Sequence, residues 1–221
     1  MSEILLLLII ILPLAANALL KSTYSKYSNA ENGMKITGED AARQILDKNG
    51  LNDVKIEKTH GFLTDHYNPK TKTVVLSEHI HSGRSIASVA VAAHEVGHAI
   101  QHKEAYSFLT FRTALVPVVN FTSKLSSIVL ILGFFLGAVG LIELAIILLC
   151  ISLLFQLITL PVEFNASNRA KKQLEKIGFV SKKDEHGVNK MLKAAAYTYV
   201  ASFLASALQI LRIVLATRRR D

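Results

Sequence analysis

The chain has 221 residues, a net charge of +8, 51% hydrophobic residues, one cysteine and no tryptophan. A lone cysteine excludes an intrachain disulfide framework and a cysteine-based zinc site. The basic charge would suit nucleic acid in a soluble protein. No interleaving of basic and aromatic residues accompanies it, however, and the positive mean hydropathy points instead to basic loops flanking membrane helices, with no nucleic-acid partner.

The apolar residues are bunched into three runs. The first, Ile4 to Leu20, carries no charge. Its "ANA" at Ala16 to Ala18 resembles a signal cleavage site, but no positive charge precedes the run, so it reads as a retained anchor over residues 3–20. A polar, turn-rich stretch follows. "TGEDAARQILDKNG" then predicts a short amphipathic helix. Thr37 serves as N-cap, Asp40 takes the capping-box position, Ala41, Ile45 and Leu46 form the apolar face, and Gly50 stops it. Short strands come next. Val54 and Ile56 alternate with polar residues, Asn68-Pro69 marks a turn, and Thr73 to Leu76 is β-branched and apolar. A second helix is predicted from Ser85 to Tyr106.

The run from Ser126 to Val162 carries only Glu143. It is roughly 37 residues, or about 55 Å as one helix, against a hydrocarbon core of roughly 30 Å. Two crossings are the natural reading, with a turn near Gly137 to Glu143 and a first helix that starts upstream near Ala114. Gly133 and Gly137 form a small-xxx-small pair that could let these helices approach closely, although glycine is common in membrane helices generally. A polar, helix-forming stretch broken near Gly178 leads to the last run, Ala194 to Ala216, which carries only Arg212.

The second predicted helix contains "AAHEVGHAIQH". Residues four apart on a helix share a face, so His94 and His98 can direct their imidazoles at one ion. Glu95 follows His94, where a carboxylate can take a proton from a metal-activated water. "HEVGH" is an H-E-x-x-H match, and Gly97 with the neighbouring alanines keeps the helix thin beside the ion. The alternative is an amphipathic helix with two surface histidines, but the surrounding residues are too apolar for a solvated face.

A hydrolytic zinc needs three protein ligands and an open position. His102 is again four residues along, but it lies about 12 Å from His94 on the helix axis, too far for both to reach one ion. A motif that breaks the helix would place glycine where Gln101 stands. His102 therefore reads as a supporting or surface residue. Glu163 in "LPVEFNASNRA" is the better third ligand, though Pro161 followed by Glu163 is also ordinary helix-start chemistry.

"AAHEVGHAIQH" followed, after a membrane hairpin, by "LPVEFNASNRA" resembles the YugP-like family of membrane zinc metallopeptidases, as do "LTDHYNP" and "TVVLSE" upstream. More distantly the chain is similar to HtpX-type membrane proteases, which share H-E-x-x-H, two spans and then E-F-x-A-D. The resemblance implies one Zn2+ per chain held by His94, His98 and Glu163, with Glu95 as acid/base. The distant relatives' aspartate falls at Ser167, so a partner that would orient a ligand histidine is absent or replaced, with Asn165 and Asn168 as candidate substitutes. Parity agrees with the ligand set: if Glu163 meets His94 and His98 on one zinc, the chain between them crosses the membrane an even number of times.

The expected fold is a mainly α multi-pass membrane protein, about four transmembrane helices with a small α+β zincin-like catalytic part. The expected segments are an anchor (3–20), a catalytic part with the small sheet and HEVGH helix (21–112), a transmembrane hairpin (114–160), a helical segment with the third ligand (161–193), a last transmembrane helix (194–216) and a basic tail (217–221). The function expected is a membrane-anchored zinc metalloendopeptidase acting on a protein or peptide substrate. One alternative is an intramembrane protease, for which the HEVGH helix is too polar. The other is a non-catalytic zinc-containing scaffold, against which an intact Glu95 argues. Asn165, Arg169, His102 and His186 are candidates for supporting or substrate contacts. His186, Arg169, Tyr106 and Tyr197 are candidates for stabilising an oxyanion, and His60, His66, His79 and His81 could shape a substrate groove. Asp65 and Glu78 read as structural, and the exposed edge of Thr73–Leu76 could hold substrate as an added strand. Most of the 25 Lys and Arg fall in loops on the catalytic side, which the positive-inside rule puts at the cytoplasmic face of the cell membrane. Arg218 to Arg220 conflict with that side. A homo-oligomer is left open.

Overall fold

A computed structural model describes residues 2–179 and 181–217. The basic residues Arg218 to Arg220, and with them most of the expected tail, lie outside the described residues. The elements in chain order are α1 (Ser2–Ser28), α2 (Gly38–Lys48), β1 (Lys55–Thr59), β2 (His66–Asn68), β3 (Thr73–Ser77), α3 (Glu78–His81), α4 (Ile86–Lys103), α5 (Ser107–Leu136), α6 (Val139–Lys176) and α7 (Lys182–Thr217). The protein is mainly helical with one small sheet, and α1, α5, α6 and α7 are each long and apolar enough to cross a membrane. The residues group into two units, one holding Ser107–Pro161 with the outer parts of α1 and α7, the other holding Ala18–Tyr106 and Val162–Ala196.

In the first unit α5 and the start of α6 form a hairpin. The chain reverses at Gly137, whose φ of 64° is open to glycine without cost, and Ala138 N–H closes the turn on Gly133 O at 3.0 Å. The two glycines therefore do different work. Gly137 makes the turn, while a Cβ on Gly133 would stand 2.9 Å from Ile142 Cγ1 and 3.1 Å from its backbone nitrogen. Val129, Ala145 and Leu148 pack below the turn. Ser123 and Ser152 join α5 to α6 through a 2.9 Å hydroxyl contact, and Gln156 Nε2 donates to Ser206 Oγ on α7. Phe121 and Phe135 are exposed, as expected of residues facing lipid tails.

Two features differ from the sequence-based expectation, and a third agrees with it. α5 starts at Ser107, upstream of Ala114, because Ala105 takes a left-handed φ of 49° and ends α4 there. α6 is one 38-residue helix with Pro161 in its interior, so Pro161 does not start a helix. Proline deletes one backbone donor, a loss that a long helix in a membrane protein tolerates. The break expected near Gly178 is present, with φ 90°, and α7 runs unbroken from the polar stretch beyond it into the apolar one.

In the second unit the sheet has strand order β1-β3-β2, β1 parallel and β2 antiparallel to β3. β3 is therefore central, and Thr73–Leu76 offers no free edge for an added strand. The pattern explains the placement: Thr73, Val74, Leu76 and Ser77 are buried, whereas no residue of β1 or β2 is, as suits edge strands. α2 carries the full capping box, Thr37 Oγ1 accepting from Asp40 N–H and the Asp40 carboxylate accepting from Thr37 N–H. Its apolar face, Ala41, Ala42, Ile45 and Leu46, packs on α4. Ser85 caps α4 by accepting from Ser88 N–H at 3.0 Å. α4 also packs on α3, β2 and β3. With Ala170 and Leu174 of α6 and Val188, Met191 and Leu192 of α7 in the same core, it is covered on nearly every side. That burial is what its alanine-rich composition serves: small side chains let neighbours close in from all directions.

Candidate metal centre

α4 presents His94 and His98 one turn apart, their rings 4.9 Å between centroids and nearly perpendicular. α6 brings Glu163 against them. Glu163 Oε2 lies 3.2 Å from His94 Nε2 and 3.7 Å from His98 Nε2, and the three ligand atoms all fall within 4.8 Å of one another. No other such cluster of His, Cys, Asp and Glu occurs among the described residues.

This approach is possible because Gly97 and Ala166 let the helices touch. A Cβ on Gly97 would stand 2.6 Å from Ala166 O. Glu163 is 2% exposed and His98 and Glu95 are 8% exposed, so the site is built inside the unit. Burial pushes the Glu95 carboxyl up to about 7, against the opposing pull of His94 and with a further rise from Glu163 and Asp65. A carboxyl in that range can both take and give a proton near neutral pH.

The donor set fits a zinc ion. Two imidazoles and a carboxylate are the ligand types of hydrolytic zinc sites, and tetrahedral coordination at 2.0–2.1 Å separates ligand atoms by about 3.3 Å. The 3.2 and 3.7 Å spacings bracket that value. Both Nε2 atoms face the carboxylate, while both Nδ1 atoms meet other partners: Ser167 Oγ at 3.2 Å for His94 and Gln101 Oε1 at 2.9 Å for His98. Ligand histidines commonly engage their second nitrogen in this way.

The remaining candidates fall into distinct places. Ser167 itself stands at His94, so neither proposed substitute for the missing aspartate is needed. Asn165 instead accepts from Gln101 and Arg169, and Asn168 is exposed. Arg169 pairs with Glu104 at 2.6 Å. His102 is exposed, and its Nδ1 shares a 2.9 Å hydrogen bond with the Tyr67 hydroxyl; burial holds that phenol up at about 12, so it stays protonated. His186 is exposed on α7, Tyr106 is half-buried between α4 and α5, and Tyr197 belongs to the other unit. His60, His66 and His79 are exposed and His81 half-buried; none joins the ligand cluster. Asp65 accepts from Ser77 N–H and Oγ–H at 2.7 and 2.9 Å, and Glu78 pairs with Lys58. Sequence reasoning passed over Gln101, which is wholly buried. A signal existed: it lies one turn past His98 on the same face, and an amide in an apolar helix must find partners.

Comparison with known proteins agrees with this geometry. No solved structure gives a significant match to the chain. "Putative membrane protease YugP" of Bacillus subtilis (strain 168) is 51% identical over 195 residues, covering 88% of this chain and 87% of that one. A family model described as "Putative neutral zinc metallopeptidase" matches residues 2–218, and the chain belongs to that family.

Proposed function

We propose that the protein is a membrane-anchored zinc endopeptidase, binding one Zn2+ per chain through His94, His98 and Glu163. The observation that carries the reading is the convergence of these three ligand atoms, half-buried at His94 and buried at His98 and Glu163, from α4 and α6 with Glu95 beside them. When bound, zinc supplies Lewis acidity toward a peptide carbonyl and toward water. Glu95 takes the proton from the attacking water and returns it to the leaving amine. The buried walls of α4 and α6 keep bulk water from the carboxylates, which strengthens each charge interaction within. The substrate is a protein or peptide, and the site works at the cytoplasmic face of the cell membrane, the side that the excess of Lys and Arg in its loops favours.

The test is zinc content and casein cleavage of the detergent-purified protein beside Glu95→Gln and Glu163→Ala. Wild type holds one zinc and cuts; Glu95→Gln keeps zinc and does not cut; Glu163→Ala loses zinc. Zinc binding without proteolysis, unchanged by Glu95→Gln, would instead make the protein a metal-containing scaffold. Full zinc content in Glu163→Ala would remove Glu163 from the ligand set.

A further inference from the structure

We propose that Gln101 is a positioning residue of the metal centre, which fixes the His98 ring in its metal-binding tautomer and ties α4 to α6 beside Glu163. The proposal rests on the zinc reading above. Its basis is a chain of hydrogen bonds whose directions are forced at both ends. One Gln101 contact is to the backbone carbonyl of Val162 at 2.8 Å. A carbonyl only accepts, so the Gln101 atom facing it is the NH2 group. The amide oxygen therefore faces His98 Nδ1, at 2.9 Å. That oxygen also only accepts, so Nδ1 carries the proton. In the neutral ring Nε2 is then the lone-pair nitrogen, the form that binds metal, and it points at Glu163 Oε2.

The second N–H of Gln101 donates to Asn165 Oδ1 at 2.9 Å. Arg169 Nε, a pure donor, reaches the same oxygen at 2.7 Å, which fixes the Asn165 amide as well. Arg169 is in turn held by Glu104 at the end of α4. Gln101 thus spends both donors and its acceptor inside the protein, with no surface exposed. Two of its three partners flank Glu163 on α6, so the same amide places a ligand on each helix. His94 is treated differently. Its Nδ1 partner is the Ser167 hydroxyl, which can donate or accept, so that ring's tautomer is not forced.

The experiment measures zinc affinity by chelator competition and the visible spectrum of the Co2+ form. It compares full-length wild type, Gln101→Met, Asn165→Asp and Asn165→Leu in detergent. Gln101→Met is expected to bind zinc about 10–100-fold more weakly, the range for loss of a residue that orients a ligand, and to shift the Co2+ bands. Asn165→Asp keeps an acceptor oxygen for Gln101 and Arg169 and should retain affinity, whereas Asn165→Leu should lose part of it. Thr37→Ala, which weakens α2 away from the site, controls for stability and should leave the affinity unchanged. Wild-type affinity and an unchanged Co2+ spectrum in Gln101→Met would overturn the proposal, as would an equal loss in Thr37→Ala. Should Gln101→Met not fold, the Asn165 pair decides: equal affinity in Asp and Leu refutes it. A wild type that binds neither metal would refute the zinc reading itself, a separate outcome.

Discussion

Gly97→Ala sets two effects of one methyl group against each other. Alanine is about 1 kcal/mol better than glycine inside a helix, so propensity alone predicts a more stable protein. The new Cβ, however, would meet Ala166 O at 2.6 Å and the Ala166 Cα and carbonyl carbon at 3.2 Å, all backbone atoms that no side-chain rotation can move. Ordinary contact begins at 3.4 Å, so α4 and α6 must part by about 0.8 Å at this point. Overpacking of that kind costs about 1–3 kcal/mol, which cancels or exceeds the propensity gain and leaves stability lowered by about 0–2 kcal/mol. Metal binding responds more sharply. Gly97 adjoins His98, and Ala166 lies one turn from Glu163, so the separation falls directly between ligands whose distances tolerate about 0.2 Å. Zinc affinity is expected to drop at least tenfold while the melting temperature does not rise and falls by at most about 8 °C. Chelator competition with a thermal melt of the metal-free protein reads both. Gly140→Ala is the matched control, since a Cβ there meets nothing within 4 Å; it should bind zinc as wild type does. A Gly97→Ala protein that melts higher and binds zinc unchanged would show that the helices are not in the contact described.

Two further predictions concern the frame around the site. Hydrogen bonds from the Thr37 side chain and backbone, the largest causes, hold the Asp40 carboxyl below its ordinary value of 3.8. A depressed folded-state pKa means stability that is present above the unfolded value and is lost as pH falls through the folded one. Thr37→Ala should cost about 1 kcal/mol near neutral pH, and in denaturant melts taken across pH the gap from wild type should narrow but not close as Asp40 is protonated, because the bond from Asp40 N–H to Thr37 Oγ1 carries no charge; a gap that does not change with pH would remove the bond from the Thr37 hydroxyl to the Asp40 carboxylate. Asp65→Ala strips the acceptor from the buried Ser77 N–H. It should destabilise by about 1–3 kcal/mol, with zinc affinity retained, and a loss of zinc instead would give Asp65 a role in the site.

What could be read in advance was what depends on local spacing. His94, Glu95 and His98 share a turn of helix, and the Thr37 capping box spans four residues, so helical geometry alone relates them. Glu163 needed more, because its helix-start alternative was equally good chemistry until the resemblance and the two intervening apolar helices favoured a ligand. What escaped was non-local. The alternation of Thr73–Leu76 identifies a strand but says nothing about its neighbours, and β3 lies between β1 and β2 rather than at an edge. The Ser167 hydroxyl reads as a vacancy when compared with an aspartate, yet a hydroxyl at 3.2 Å from His94 Nδ1 fills the place. Pro161 looked like a helix start because the missing N–H is normally costly inside a helix, and α6 runs through it.

The proposed ligands create a conflict that the packing of α4 against α6 has to withstand. Burying Glu163 beside Glu95 places two carboxyl groups in a region of low dielectric, where an uncompensated charge costs several kcal/mol. Neutral histidines relieve this only in part, since a lone-pair nitrogen facing a carboxylate oxygen at 3.7 Å is itself unfavourable. A cation held by His94, His98 and Glu163 would relieve both difficulties at once. Without it, the helices would be expected to slip or the histidines to turn outward, and the protein must resist this by other means. It does so with contacts that carry no charge: the backbone approach at Gly97 and Ala166, and the Gln101 amide on the Val162 carbonyl. Both lie within one turn of a ligand on each helix, so the energy that holds the strained charges together comes from packing and neutral hydrogen bonds immediately beside them.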